Sequence, residues 1–462
     1  MSSVRGTQAA LGAAVLLSAC SGHPAGTSEG DGGAASCSFS IVTNEVSPTM
    51  ATVGVVEWST TLSPLASARV VYALTGAGAD VKNAGGSAPV DLTKVNHRTL
   101  LLGLKPASDY TFHVEATAAN GTTCKSPDYA LPTTGVLPGS PVVTRTAANP
   151  SAQANGFIVA SSGVTYGNFA IIIDADGDVV WYAESPVQCT RARMDYEGAN
   201  MWMVAANEDN SGGEMRLVSM DGQTTLKNVP GLENAHHDFA VLPGKIAAMV
   251  WATSDVDTES NLVEMNSDGS GSPTTVFEIG ANLYAGGAGF AADPNDSYHS
   301  NSILYHPADD SFTIGDRDPN LYVKVSHAGA VEWQLGGSCA NAPAGAAHCV
   351  PESWRVNHGH HLLDSGTMLV FNNNTNGVAD VREFALDTTG TFAATAVDDF
   401  RSGVTCNVLG DVQRLPNGNT LVSYSTSGEI LEVDASWAPV QTLTGAYGYA
   451  DWRETLYGPP AR

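Results

Sequence analysis

The chain is poor in positive charge: 21 Lys and Arg stand against 47 Asp and Glu in 462 residues, a formal net charge of −26. That excess disfavours nucleic acid and anionic membrane surfaces as partners, since both repel an acidic protein. An anionic substrate would need a local cationic pocket. No CxxC spacing occurs, so a zinc site lacks its usual ligand pattern. HExxH and Walker-type GxxxxGK[ST] are also missing and no GxSxG forms an elbow, the one such string, Gly26 to Gly30, lying in a small, polar stretch; zincin, serine-hydrolase and nucleotide-dependent mechanisms are thus without their motifs. Sustained helical periodicity is absent, and 48 glycines set in dense turns argue against long helices. One apolar run stands out, Ala9 to Leu17, and no other segment approaches the roughly 20 residues needed to cross a bilayer.

That run follows Arg5 and ends in Leu17-Ser18-Ala19-Cys20. Residues 1–20 therefore read as a signal peptide, and the small residues before Cys20 resemble the bacterial lipobox. Cleavage there and acylation of Cys20 would anchor an exported protein in the bacterial cell envelope, periplasmic or surface-facing, with the lipid as its only membrane contact. Residues 21–36 are small and polar and read as a flexible linker. Six further cysteines in an exported chain favour disulfides. The best pairing is Cys37–Cys124 and Cys339–Cys349, which leaves Cys189 and Cys406 as a candidate pair.

What is abundant is short alternating apolar runs between Gly, Pro, Asn and Asp turns. From residue 37 to 135 they predict a small β-sandwich. Trp58 lies on an early strand, and Leu104 to Val114, LKPASDYTFHV, resembles the Leu-x-Pro-x-x-x-Tyr stretch of fibronectin type III domains with its tyrosine corner. His113 reads as a strand-surface residue.

Beyond residue 145 the sequence repeats itself. An apolar strand, an acidic or polar turn with Gly and a second apolar strand recur, as in Ile173-Asp174-Ala175-Asp176-Gly177-Asp178-Val179 and Val325-Ser326-His327-Ala328-Gly329-Ala330-Val331. A second element, Leu242-Pro243-Gly244, Leu363-Asp364-Ser365-Gly366 and Leu415-Pro416-Asn417-Gly418, alternates with it. Six copies at roughly 45 to 60 residues predict a six-bladed β-propeller over 145–462. The fold class expected is thus all-β, a sandwich followed by a propeller. The Asp174–Asp178 run reads as a hairpin turn, since it does not match an EF-hand loop.

Nine of the 12 histidines lie between residues 236 and 361. His237 precedes Leu242 by five residues and His358 precedes Leu363 by five, so both hold one blade position, at the entry to an inner strand; Gly410 holds it before Leu415. Equivalent entry positions of successive blades ring one mouth of a propeller channel, where distant residues converge. His299, in His299-Ser300-Asn301-Ser302, precedes a comparable run, and Arg317 follows it by 18 residues. Three imidazoles and a guanidinium would make the missing cationic pocket. His236, His360 and Asn301 are candidates for supporting roles, with His361 beside them, whereas His306, His327 and His348 read as surface residues.

In order, His237-Asp238-Phe239, His299-Ser300-Asn301-Ser302, Arg317, and His358 before an LxxG turn and an Asn-rich strand end resemble the motif series of the bacterial arylsulfotransferases. The resemblance spans the propeller. It implies an exported enzyme that moves a sulfuryl group from a phenolic sulfate ester to another phenol, without a nucleotide donor or any cofactor. It also implies a transiently sulfated histidine, matched here by His358, supported by His237, His299 and Arg317. Small phenolic sulfate donors and phenolic acceptors would be the partners, and a homo-oligomer is left open. The chain departs from the family at the nucleophile, with Asn357-His358-Gly359-His360-His361 where Gln-His-Asp is common. The short disulfide loop of the family would correspond to Cys339–Cys349.

The residue types suit this chemistry. A neutral imidazole is a competent nucleophile, a guanidinium fork can hold two sulfuryl oxygens, and a protonated His237 or His299 would stabilise a leaving phenolate. Two other readings remain: a metal-dependent propeller lyase using the same imidazoles, and a non-catalytic surface lipoprotein that binds glycans or proteins.

Overall fold

The computed structural model describes residues 37–163, 167–185, 187–206, 213–251, 260–279, 283, 299–340, 342–374, 378–445 and 447–460. The expected signal peptide and linker, with Cys20, lie outside the described residues.

The N-terminal strands form two sheets. Phe39–Val46, Gly54–Thr60 and His97–Leu101 make one; Gly85–Pro89, Leu65–Leu74, Tyr110–Ala118 and Thr123–Lys125 make the other, with Tyr129–Leu131 added to it. Alternation buries every second side chain of Tyr110–Ala118, as a strand with one core-facing side requires. Trp58 is fully buried between the sheets. The tyrosine corner forms as expected: the Lys105 N–H donates to the Tyr110 hydroxyl at 2.9 Å. His113, half-buried, pairs with Glu115 and Asp128.

The rest is a six-bladed propeller. Each blade is an antiparallel sheet, to one of which the short strand Cys349–Val350 adds in parallel, and the six innermost strands are Cys189–Met194, Ala235–Leu242, Ser300–His306, Asn357–Leu362, Asp411–Arg414 and Ala450–Arg453. Each is adjacent to the next, and the last to the first, so they ring a central axis. The chain ends tie the ring. Ala450–Arg453, near the C-terminus, is the inner strand of a blade otherwise made of Phe157–Ser161, Phe169–Asp174 and Val179–Glu184. Thr144–Ala147 is the outer strand on Pro439–Thr444. Strands packed between neighbouring blades are covered on both faces. That is why Phe169–Asp174 reads as the unbroken run FAIIID and is wholly buried.

The Asp174–Asp178 run is a hairpin turn, and the cation it holds comes from the sandwich. Lys105 Nζ pairs with Asp174 and lies 3.0 Å from both Asp176 and Asp178. Arg98 with Asp221 at 2.7 Å, and the Thr52 hydroxyl with the Val180 carbonyl at 2.6 Å, extend this contact. Cys37–Cys124 and Cys339–Cys349 are bonded. The third expected pair does not form: Cys189 and Cys406 are free, buried thiols. Cys189 starts the inner strand of one blade and Cys406 sits in the loop before Asp411–Arg414, where its Sγ contacts the Asn373 amide and the Ser425 hydroxyl.

Candidate active site

The entry ends of the inner strands bring four expected residues together. His237 sits in a β-bulge between Ala235 and Phe239 and has φ +52°. A bulge adds a residue and re-aims the side chain; here it turns His237 toward the next blade, where His299 immediately precedes Ser300–His306. Nε2 of His237 and Nε2 of His299 are 3.0 Å apart. Arg317, at the end of the next strand, places an Nη 3.2 Å from His299 Nδ1 while its Nε–H donates to Asp318 at 3.0 Å.

An arginine can only donate, so these contacts assign every tautomer in turn. Arg317 donates to His299 Nδ1; His299 Nε2–H then donates to His237 Nε2. His237 Nδ1–H donates to His236 Nδ1 at 3.0 Å, and His236 Nε2–H donates to the Ser260 hydroxyl at 3.1 Å. His236 stacks on Trp251 with ring centroids 3.7 Å apart. Burial holds His236, His237 and His299 well below the ordinary imidazole pKa, and Arg317 lowers His237 and His299 further. All three are therefore neutral near neutral pH. The expectation of a protonated His237 or His299 is not met in the free protein, where Arg317 carries the permanent positive charge of the site.

His358 is the second residue of the inner strand Asn357–Leu362 and is 1% exposed. Its Nδ1 lies 2.6 Å from Asn373 Oδ1. The Asn373 amide cannot be reversed, because its NH2 already donates to the carbonyls of Cys406 at 3.0 Å and Leu409 at 2.8 Å. Asn373 thus accepts from Nδ1–H and leaves the His358 lone pair on Nε2. Burial and the nearby charge of Arg317 push the His358 pKa down to about 3. The backbone is held as firmly: the His358 carbonyl accepts from the hydroxyls of Ser302 at 2.9 Å and Tyr322 at 3.0 Å. Asn301 Nδ2 donates to the Asn357 carbonyl at 2.7 Å.

Gly359 has a steric reason. A Cβ there would lie 2.0 Å from Asp411 Oδ1. Asp411 belongs to a buried ion network that sequence reasoning left without a role. Arg191 pairs with Asp238 at 2.8 Å and with Asp411 at 2.7 Å, and Arg193 pairs with Asp451 at 2.9 Å. Arg191 and Asp411 lie on inner strands with the strand of Asp451 between them, so the bridge ties non-adjacent blades together. The signal was the Asp after His237 and the two arginines in an otherwise apolar strand.

His360 lies on the far side of this bridge, bonded to the Ser302 and Thr313 hydroxyls. Two of the three expected surface histidines behave so: His327 is half-buried and pairs with Glu264 and Asp310, and His348 is exposed. His306 does not; it is half-buried and lines an axial cavity. Among the described residues no group of three or more His, Cys, Asp or Glu is arranged to hold a metal ion. The imidazole nitrogens pair with one another rather than pointing at a shared centre. No helix among the described residues is long and apolar enough to cross a membrane, and the two disulfides fit an exported protein.

A model of the arylsulfotransferase (ASST) family matches residues 142–379, more than half of the chain. The chain belongs to the arylsulfotransferase family. No curated protein matches it. Among solved structures it is similar to a puromycin hydrolase mutant complexed with PGG, at 12% identity and TM-score 0.34, over 78% of this chain and 53% of that one. It is also similar to the β-propeller domain of the Trilobed protease from Pyrococcus furiosus, at 9% identity and TM-score 0.21, over 91% and 99%. The chain spans about half the length of the puromycin hydrolase.

Proposed function

We propose that the protein transfers a sulfuryl group between phenols through His358, without a nucleotide donor. The observation that carries this reading is the fixed, neutral imidazole of His358 in the field of Arg317. Its Nε2 lone pair attacks the sulfur of an aryl sulfate; the N–S bond forms as the ester S–O bond breaks and a phenolate leaves. Because Nδ1 keeps its proton, the product is a sulfo-imidazolium, whose positive charge the Asn373 oxygen stabilises and whose N–S bond is activated for the return step. A second phenol attacks the same sulfur and restores the free imidazole.

Sulfuryl transfer moves little proton density at the transferred group, so positioning and charge stabilisation dominate, as in phosphoryl transfer. Arg317 balances the developing negative charge. The chain His299–His237–His236 takes the proton of the incoming phenol, and the imidazolium so formed returns it to the phenolate that leaves in the next turnover. Since donor and acceptor use one site in turn, the kinetics are ping-pong. Cys20 would tether the enzyme to the cell envelope, with residues 21–36 as the leash, and the sandwich serves as a non-catalytic spacer.

The test is a coupled assay of residues 21–462 with 4-nitrophenyl sulfate and excess phenol. Phenol-dependent release of 4-nitrophenolate that persists in EDTA and disappears in His358→Ala is expected. Release abolished by EDTA would support the metal-lyase reading instead, and none from folded protein would support a binding propeller.

A further inference from the structure

The far mouth of the propeller holds a second cavity, of about 130 Å³. The exit ends of all six inner strands line it, through Met194, Ala240, His306, His361, Gln413 and Trp452. Arg193, Asp411 and Asp451 line it, and through them it borders the Arg191 ion network.

Most of its charged groups are paired, and Asp364 stands at its exposed edge. Arg193 is paired with Asp451 and, at 3.1 Å, with Asp238, while Asp411 is paired with Arg191. Arg453 donates to the carbonyls of Thr455 and Gly458. The rest of the wall is aliphatic, as at Leu304 and Leu362, or aromatic, as at Tyr305 and Trp452. An anion entering this space would lose its hydration against a lining that carries three carboxylates, Asp364, Asp411 and Asp451, and two guanidiniums, Arg193 and Arg453.

Hydrogen-bond accounting gives the polar groups that remain. Ser302 Oγ donates to the His358 carbonyl, so it accepts from His360 Nδ1–H at 3.0 Å. His360 Nε2 is then an acceptor, filled by the Thr313 hydroxyl at 2.7 Å, and Thr313 in turn accepts from His306 Nε2–H at 2.9 Å. This leaves a lone pair on His306 Nδ1. On His361, Nδ1 accepts the Arg414 N–H at 3.0 Å, so Nε2 carries a proton. The cavity therefore has one imidazole acceptor and one imidazole donor on largely apolar and aromatic walls. Its volume is close to that of an engineered cavity of about 150 Å³ that takes up benzene.

We propose that this far mouth is a second small-molecule site, for an uncharged aromatic of one ring bearing a hydroxyl. The ring packs on Tyr305, Trp452 and the aliphatic wall. The hydroxyl donates to His306 Nδ1 and accepts from His361 Nε2–H. Charged aryl sulfates are excluded, so the two mouths differ in the charge they admit.

Calorimetric titration with phenol and with phenyl sulfate tests this, using full-length mature protein carrying Arg317→Ala to disable the entry mouth. Phenol is expected to bind saturably, with affinity reduced roughly tenfold by His306→Leu or His361→Leu and abolished by Leu362→Trp, which fills the half-buried edge of the cavity. Phenyl sulfate is expected not to bind. Absent phenol binding, binding indifferent to His306→Leu, His361→Leu and Leu362→Trp, or equal binding of phenyl sulfate would each overturn the proposal. The readout is binding, so a protein inactive in sulfuryl transfer that still takes up phenol here would sink the proposed function and leave this site standing.

Discussion

At the scale of single residues, Asn373 decides which nitrogen of His358 is available. Its amide is pinned by two carbonyls, so it can only accept from Nδ1–H. Asn373→Ala removes that constraint while His358 stays in place. The kcat should fall by on the order of 10²- to 10⁴-fold, the range for imidazoles that lose proton-transfer competence or correct tautomer, with KM little changed. The nitrogen-15 spectrum of His358 should show mixed tautomers in the same sample. A single unchanged tautomer beside a lowered kcat would make Asn373 a loop anchor only. The sequence exposed the histidines because they cluster and recur at one blade position. It showed an Asn-rich strand end, but which of Asn372, Asn373 and Asn374 meets His358 depends on how the chain leaves the strand. The tautomer chain through His236 to Ser260 was equally hidden, because it depends on distances near 3 Å between blades.

At the scale of elements, the blades were legible because each repeats an Asp-Gly or Asn-Gly type turn and an apolar strand, and such turns fix hairpin registers locally. The bulges were not. His237 occupies a left-handed backbone conformation, uncommon for a residue with a side chain, and Asn357 and His360 flank a second register shift. Each bulge disturbs the alternation that pattern reading relies on, and each delivers an imidazole to the entry mouth. Gly359 follows from the same geometry, since Asp411 from the next blade fills the volume a side chain would need. The Cys189–Cys406 pairing failed because parity says nothing about distance: the two thiols belong to different blades. His306 was misjudged because position in a strand does not reveal the mouth it faces.

At the scale of the whole molecule, the propeller stores neutral histidines. Burial lowers the pKa of His236, His237, His299, His306, His358, His360 and His361 below the ordinary 6.5. Below that value the unfolded chain binds protons that the folded chain refuses, so stability falls as pH drops, by up to about 1.4 kcal/mol per pH unit for each histidine in its titration range. Asp174 and Asp411, raised by burial to about 6, act oppositely between their unfolded value of 3.8 and about 6, as do Asp195 and Glu429, also raised by burial, but these are four against seven. The urea midpoint should therefore fall steadily from about pH 7 to about pH 5. A level or rising midpoint over that interval would contradict neutral histidines in the folded state. The division into sandwich and propeller was readable from composition and repeat length. Their docking was not, because Lys105 and the Asp174 turn each make sense locally and meet only in three dimensions.

The central claim is that His358 carries the sulfuryl group. The direct measurement is peptide mass spectrometry of protein mixed with 4-nitrophenyl sulfate without an acceptor and quenched at alkaline pH. The account predicts one SO3 on the peptide containing His358, removed by a chase with phenol and absent from His358→Ala. Stoichiometric 4-nitrophenolate release with no adduct on His358, or an adduct that persists in the variant, would contradict it.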